Sequence, residues 1–166
     1  MAKASTDLIT GKPVRALYIG DSGTGKTGSL ISLLQAGYSI RMLDLDNNAD
    51  SLIHLCKHTD PKLLDKLDIV SVRDKFRASQ MTGLEVAGQP KAWVDALKYL
   101  NKWDDNTSIA EWDNNTIFVL DTLTSAGRAA FYWARGMSPA AKDPRQWYAA
   151  AQDSLKTLLE LLTSPD

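Results

Sequence analysis

The chain has 166 residues, 44% of them hydrophobic and 23% charged, with a formal net charge of −1. That length supports one well-buried domain rather than two, and the near-neutral balance excludes a strongly cationic nucleic-acid binder. The single cysteine, Cys56, excludes an intrachain disulfide framework and fits a reducing cytosol, no apolar run approaches the roughly 18 residues of a membrane span, and the polar start lacks the apolar stretch of a secretory signal.

Residues 1–13 are polar and end at Gly11-Lys12-Pro13, so they are expected to form an arm ahead of a domain at 14–166. Arg15–Ile19 follows as an expected first strand, apolar through Ala16-Leu17-Tyr18-Ile19. Residues 20–27 then read Gly-Asp-Ser-Gly-Thr-Gly-Lys-Thr, a full match to the phosphate-binding P-loop pattern G-x-x-x-x-G-K-[ST]. Thr27 to Gln35 has helical spacing at Leu30, Ile31, Leu33 and Leu34, and Gly37 is a suitable C′ residue. Strand, glycine loop and helix are the context in which that pattern becomes a site. Glycines let successive backbone N–H groups converge on an anion, and the helix N-terminus adds a favourable dipole. The expected cradle is Asp21, Ser22, Gly23, Thr24, Gly25, Lys26, Thr27 and Gly28. Within it Lys26 would reach the β- and γ-phosphates and the Thr27 hydroxyl would ligate Mg²⁺.

Ser39–Leu45 reads as the second strand. Asp44 and Asp46 at its end alternate around Leu45, which puts both carboxylates on one face. A carboxylate there can orient an attacking water; Asp46-Asn47-Asn48 is equally good turn and cap chemistry for a helix through Leu52, Ile53, Leu55 and Cys56, closed by Pro61. His54, Cys56 and His58 raise zinc only weakly, since the two histidines share a helix face while Cys56 points away. A third strand is expected at Asp68–Arg73. Residues 74–90, with Gly83, Gly88 and Pro90 and no clear period, read as a long loop.

Helical spacing returns from Ala92 to Trp103, and a polar connector leads to Thr116–Asp121, a strand apolar up to its closing carboxylate. A P-loop needs an acid to hold Mg²⁺ from the opposite side, at the C-terminal end of a buried strand; Asp121 is that candidate. Thr122 and Thr124 beside it suit cap chemistry. Helices over about Ser125–Gly136 and Arg145–Leu162 complete the pattern. Alternating strands and helices imply an α/β fold, a three-layer α/β/α sandwich on a mostly parallel sheet of the P-loop NTPase type. That architecture usually continues with another strand where this sequence stops at Asp166, so either a C-terminally truncated form of a longer protein, the favoured alternative, or an unusually small sheet is expected. The stretch Asn101-Lys102-Trp103-Asp104 spells the guanine-specificity pattern N-K-x-D. It precedes the Asp121 strand instead of following it, and no Asp has Gly three residues later, so ATP is the expected nucleotide.

Three segments together, Gly20–Thr27, Met42–Leu52 and Thr116–Thr124, resemble the RecA-core P-loop ATPases of bacteriophages, the AAA-like class that includes single-strand-annealing recombinases. Trp147 in Asp143-Pro-Arg-Gln-Trp-Tyr is similar to a tryptophan on a later helix of that family. The resemblance implies a RecA-like fold and Mg²⁺-dependent ATP hydrolysis, with Lys26, Asp46 and Asp121 as the catalytic groups and Thr27 and Asp121 at the metal. Asp46 departs from the Glu usual in the family, which sets the base about one methylene further from the γ-phosphate. A role in phage recombination or replication on single-stranded DNA is implied as well, in the cytoplasm of the host, with ATP at the interfaces of a homo-oligomer. Ala134–Gln146, with Arg135, Lys142 and Arg145 and flanked by Trp133, Trp147 and Tyr148, is then the expected DNA-facing segment, and Arg128, Arg135 and Arg145 are alternatives for a finger across an interface. Two other functions use the same loop. One is a non-hydrolysing ATP-binding factor for assembly, packaging or helicase loading. The other is a small-molecule kinase, whose arginine-rich lid would have to come from the sparse pairs Arg73/Arg77 and Arg135/Arg145.

Overall fold

The computed structural model describes residues 15–21, 23–80, 83–141 and 143–163. The arm expected at 1–13, Ser22 of the glycine loop, Lys142 and the end at 164–166 lie outside the described residues.

Three parallel strands form the central sheet: β1 (Ser39–Asp44), β2 (Leu67–Ser71) and β5 (Thr116–Asp121), in the order β2-β1-β5. Asp44 pairs with Ser71 on one side and with Asp121 on the other, so the three C-terminal ends are level. Helices cover both faces. Alternation along β1 sends Ile40 and Met42 to one face, where they pack with Leu30 and Leu34 of the helix after the glycine loop and with Leu52 and Cys56 of α2 (Asp50–Thr59). Leu43, with Val70 and Val72, faces the other way, against α3 (Ala92–Asn101), α4 (Leu123–Met137) and α5 (Arg145–Thr163). The chain is therefore a mixed α/β protein on a parallel sheet, and the strands predicted at 39–45, 68–73 and 116–121 all form. None of its described helices is long and apolar enough to cross a membrane.

Two expectations are corrected. Arg15–Ile19 is not a strand: it joins no ladder, and Leu17 and Ile19 are 72% and 86% exposed. Four apolar residues acquire strand structure only where a neighbouring edge supplies hydrogen bonds and a face to pack on, and among the described residues β5 pairs on its β1 side alone. The stretch 74–90 is not a featureless loop either. It contains an antiparallel hairpin, β3 (Phe76–Ser79) and β4 (Gly83–Val86), with Arg77 opposite Glu85 and their side chains paired at 2.8 Å. Strands of four residues, one opened by a glycine at φ 79°, leave too little alternation to read.

The glycine-loop helix begins as a 3-10 turn at Gly28–Leu30 and continues as α1 (Ile31–Gln35). Gly37 closes it at φ 105°, donating to the Leu34 carbonyl while Tyr38 donates to that of Leu33, the left-handed termination that favours glycine.

Candidate functional site

The glycine loop lies at the C-terminal edge of the sheet, and its geometry is set by its own backbone. Gly23 and Gly25 adopt φ of 79° and 84°, conformations that cost a side-chain-bearing residue about 1–2 kcal/mol. No atom would crowd a Cβ at either, so glycine is required there by conformation and not by space. Thr24 closes a turn onto the Asp21 carbonyl through both its N–H and its hydroxyl. Lys26 folds over this turn and donates from Nζ to the carbonyls of Gly20 and Asp21, each at 2.7 Å. An ammonium held by two main-chain carbonyls stays over the loop without being neutralised by a carboxylate.

Thr27 leaves the loop into the helix, and its hydroxyl donates to Asp121 Oδ2 at 2.9 Å. On β5, Ile117 and Val119 pack into the cluster on the α1 and α2 side, and Asp121 follows them on that face by the strand's alternation. Burial pushes its carboxyl above the usual carboxylate range. The Thr27 bond and nearby Lys26 oppose that shift, and the charges of Asp44 and Asp46 reinforce it. The Asp121–Thr122 peptide is cis, and the Thr122 hydroxyl accepts from the Ser125 N–H as the N-cap of α4, the cap role expected for it.

Asp44, not Asp46, supplies the turn chemistry at the end of β1. Asp44 is 1% exposed. Its Oδ1 accepts from the amides of Asp46, Asn47 and Asn48 at 2.7–3.4 Å, and its Oδ2 from the Ala49 amide and the Ser71 hydroxyl. The turn into α2 is thus wrapped around Asp44, with Asn47 at φ 55°. Asp46 performs no capping. It is exposed beyond the strand end, and its Oδ1 accepts from the Ser125 hydroxyl at 2.9 Å. Lys26, Thr27, Asp121 and Asp46 therefore gather at one edge of the sheet.

No family model, curated protein or solved structure matches this chain.

Ser125 and Ser71 are the partners that sequence reading missed; each is a hydroxyl beside an acidic strand end, a signal too common to select. The guanine-specificity reading of Asn101–Asp104 is opposed by position. Trp103 is buried, donates to Asp68 at 2.6 Å near the start of β2, and packs edge-on against Trp112. This puts the tetrapeptide at the opposite end of the sheet from the glycine loop. The His54 and His58 rings meet edge-on at 4.3 Å while Cys56 is sealed in the core, where burial raises its thiol pKa; no cluster of three metal-ligating side chains occurs among the described residues. In the segment 134–146, Arg145 pairs with Asp143 at 2.9 Å. Trp147 donates to the Ser138 carbonyl at 2.8 Å, with the Arg135 guanidinium 5.7 Å from its ring. Within the stretch expected to face DNA, Arg145 and Trp147 thus have intramolecular partners, while the Arg145 side chain and Tyr148 stay exposed.

Proposed function

We propose that this chain is a P-loop ATPase with a RecA-like core, binding Mg²⁺–ATP at Gly20–Thr27 and hydrolysing it in the service of phage DNA recombination or replication in the host cytoplasm. The observation that carries the reading is the 2.9 Å bond between Thr27 and Asp121. An octahedral Mg²⁺ with oxygens at about 2.1 Å holds adjacent ligands about 3 Å apart, so a hydroxyl and a carboxylate already at that separation suit one cation. The metal would neutralise phosphate charge and so help the leaving group.

The chain's own groups would do the rest. The amides of the glycine loop converge on the phosphates, with Gly23 and Gly25 supplying the backbone angles. Lys26 exchanges two carbonyl contacts for phosphate oxygens, a charge-assisted replacement for neutral acceptors. Asp46, oriented by Ser125, orients the attacking water. The full carboxylate shell of Asp44 favours Asp46 over Asp44 for this role, because an acceptor already holding five donors has no lone pair free for a water.

Calorimetric titration with Mg²⁺–ATP, paired with phosphate release, tests the reading. The parent chain is expected to bind and turn over ATP. Lys26→Ala is expected to lose tenfold to a hundredfold in affinity, the weight of a charge-assisted contact, with an unchanged melting temperature. Saturating binding without phosphate release would instead support a nucleotide-set assembly or helicase-loading factor, and no heat at all would sink both.

A further inference from the structure

Away from the glycine loop, the side chains best suited to hold a ligand stand on α2. His54 and His58 are the only histidines of the chain, and a spacing of four residues sets them one turn apart on the same face of the helix. Both are exposed. Their rings meet edge-on with centroids 4.3 Å apart, and neither imidazole has a hydrogen-bond or ion-pair partner among the described residues. The opposite face of α2 is fixed, because Leu52 and Cys56 are fully buried in the core beside the glycine-loop helix. Two donor rings are therefore held side by side on a helix whose packing keeps it from rolling.

The pair has the dimensions of a chelate. Nitrogens about 2.0–2.1 Å from one zinc ion put the two ring centres about 4.5–5 Å apart, so a small rotation of the side chains closes the site. The donors select the ion: imidazole suits Zn²⁺, Ni²⁺ and Cu²⁺, whereas Mg²⁺ and Ca²⁺ take oxygen ligands. Position helps as well. His58 lies in the last turn of α2, where the helix-end carbonyls carry the negative pole of the dipole and favour a cation. Lys57 shares that turn and opposes further positive charge, but its flexible stem lets the ammonium swing away into water. A merely solvated helix face would explain the exposure of the two rings, yet it gains nothing from their spacing.

We propose that His54 and His58 form a two-imidazole site for a borderline divalent cation of the zinc class. No third metal-ligating side chain gathers there among the described residues, so water completes the coordination. Half the ligands of a four-ligand structural zinc site supply about half its binding free energy, which sets the dissociation constant at about 1–100 μM. The bound ion closes the turn from His54 to His58 and steadies α2, whose entry turn is wrapped around Asp44. Folding the helix is what brings the two rings together, so the ion binds the native chain in preference to the unfolded one. This site is independent of the ATPase reading, whose cation would rest on the hard oxygens of Thr27 and Asp121.

Isothermal titration of the untagged chain with zinc chloride, without nucleotide and in excess Mg²⁺, tests the site and is expected to saturate at one ion in that range. His54→Ala and His58→Ala replace exposed side chains, so the zinc-free melting temperature should hold while binding weakens about a hundredfold, the share of one ligand in a four-ligand site. His58→Ala/Thr59→His keeps two histidines but moves the second around the helix, and should bind as weakly as the single variants. Zinc at about ten times the dissociation constant should raise the parent's melting temperature by about 3–5 °C, a shift reversed by EDTA and absent in His54→Ala. Failure of the parent to saturate in that range overturns the proposal. So does parent-like affinity in the respaced variant, or a parent melting temperature that zinc leaves unmoved. If zinc binds in this variant-sensitive way and Mg²⁺–ATP gives no heat, the ATPase reading falls and the histidine site stands. If ATP is turned over and the variants bind zinc like the parent, the histidine site falls alone.

Discussion

The Thr27 hydroxyl reaches Asp121 across 94 positions of sequence and ties the glycine loop to the end of β5. Because Arg15–Ile19 enters no ladder, the loop is held from its downstream side, by Leu30 and Leu34 in the core and by this bond. A site assembled this way is sensitive to the state of one carboxylate.

Asp121→Asn is expected to separate stability from metal dependence. Burial raises the Asp121 pKa in the folded chain, so its protonated form is the one that folding favours. That contribution is complete below the ordinary carboxylate range and is lost as pH rises through the raised value. Melting curves across this window should show the parent losing stability with rising pH and the asparagine variant losing less. Mg²⁺ needs the ionised form, so Mg²⁺-dependent nucleotide affinity in the parent should fall on acidification at a higher pH than an ordinary aspartate would give. In the variant the Mg²⁺ dependence should drop by at least the tenfold to hundredfold, roughly, that losing a metal-orienting group costs.

The segment before the loop gives a second expectation. Leu17 and Ile19 are exposed and unpaired to any strand, so Leu17→Ser and Ile19→Ser should each change stability by no more than about 0.5 kcal/mol, the range of surface substitutions. Hydrogen exchange at residues 16–19 should be fast, while β1 amides are slow. Loss of more than about 2 kcal/mol in either variant, the scale of a core truncation, would mean that this segment is packed after all.

Much of the fold was legible because the signals were local. The helix from Thr27, the strands at 39–45 and 116–121, and the acid closing the second of them follow from periodicity and from a motif whose spacing encodes its geometry. What was not legible depended on neighbours. Ala16-Leu17-Tyr18-Ile19 has the composition of a buried strand, yet a strand is a relation between two chains and its partner is not written in its own residues. The hairpin at 76–86 is defined by Arg77 facing Glu85, a pairing visible only once the register is known. Asp44 and Asp46 are chemically identical, and which one disappears under the α2 turn is decided by the path of the backbone.

Gly25→Ala is expected to damage nucleotide binding without damaging the fold. At φ 84° an added Cβ meets nothing within 4 Å, so the cost is conformational alone, about 1–2 kcal/mol. The loop is exposed and can relax into an alternative path, which leaves the melting temperature within about a degree or two. That relaxation turns the amides away from a common point, and Mg²⁺–ATP affinity should fall by about tenfold or more. Gly127→Ala is the control, since its Cβ would meet only the Leu155 side chain at 3.8 Å and the φ is unstrained.

The two neighbouring aspartates should fail in opposite ways. Asp44→Ala removes an acceptor from four backbone amides and the Ser71 hydroxyl at a site that is 1% exposed. Buried donors left without a partner cost about 1–3 kcal/mol apiece when water cannot replace the lost acceptor, and the turn into α2 would open to readmit it. A net loss of about 2–4 kcal/mol is expected, read as a lower urea midpoint. Asp44→Asn keeps the shape and part of the accepting capacity and should recover about half. Asp46→Ala loses only an exposed bond to Ser125, so stability should stay within about 0.5 kcal/mol, while turnover should fall by about a hundredfold or more, the range for a positioned general base. Asp46→Glu lengthens the reach by one methylene and should keep or raise turnover. Were Asp46→Ala to hydrolyse ATP at the parent rate, the water-activating role would pass to another group, and the buried shell of Asp44 makes that residue a poor heir.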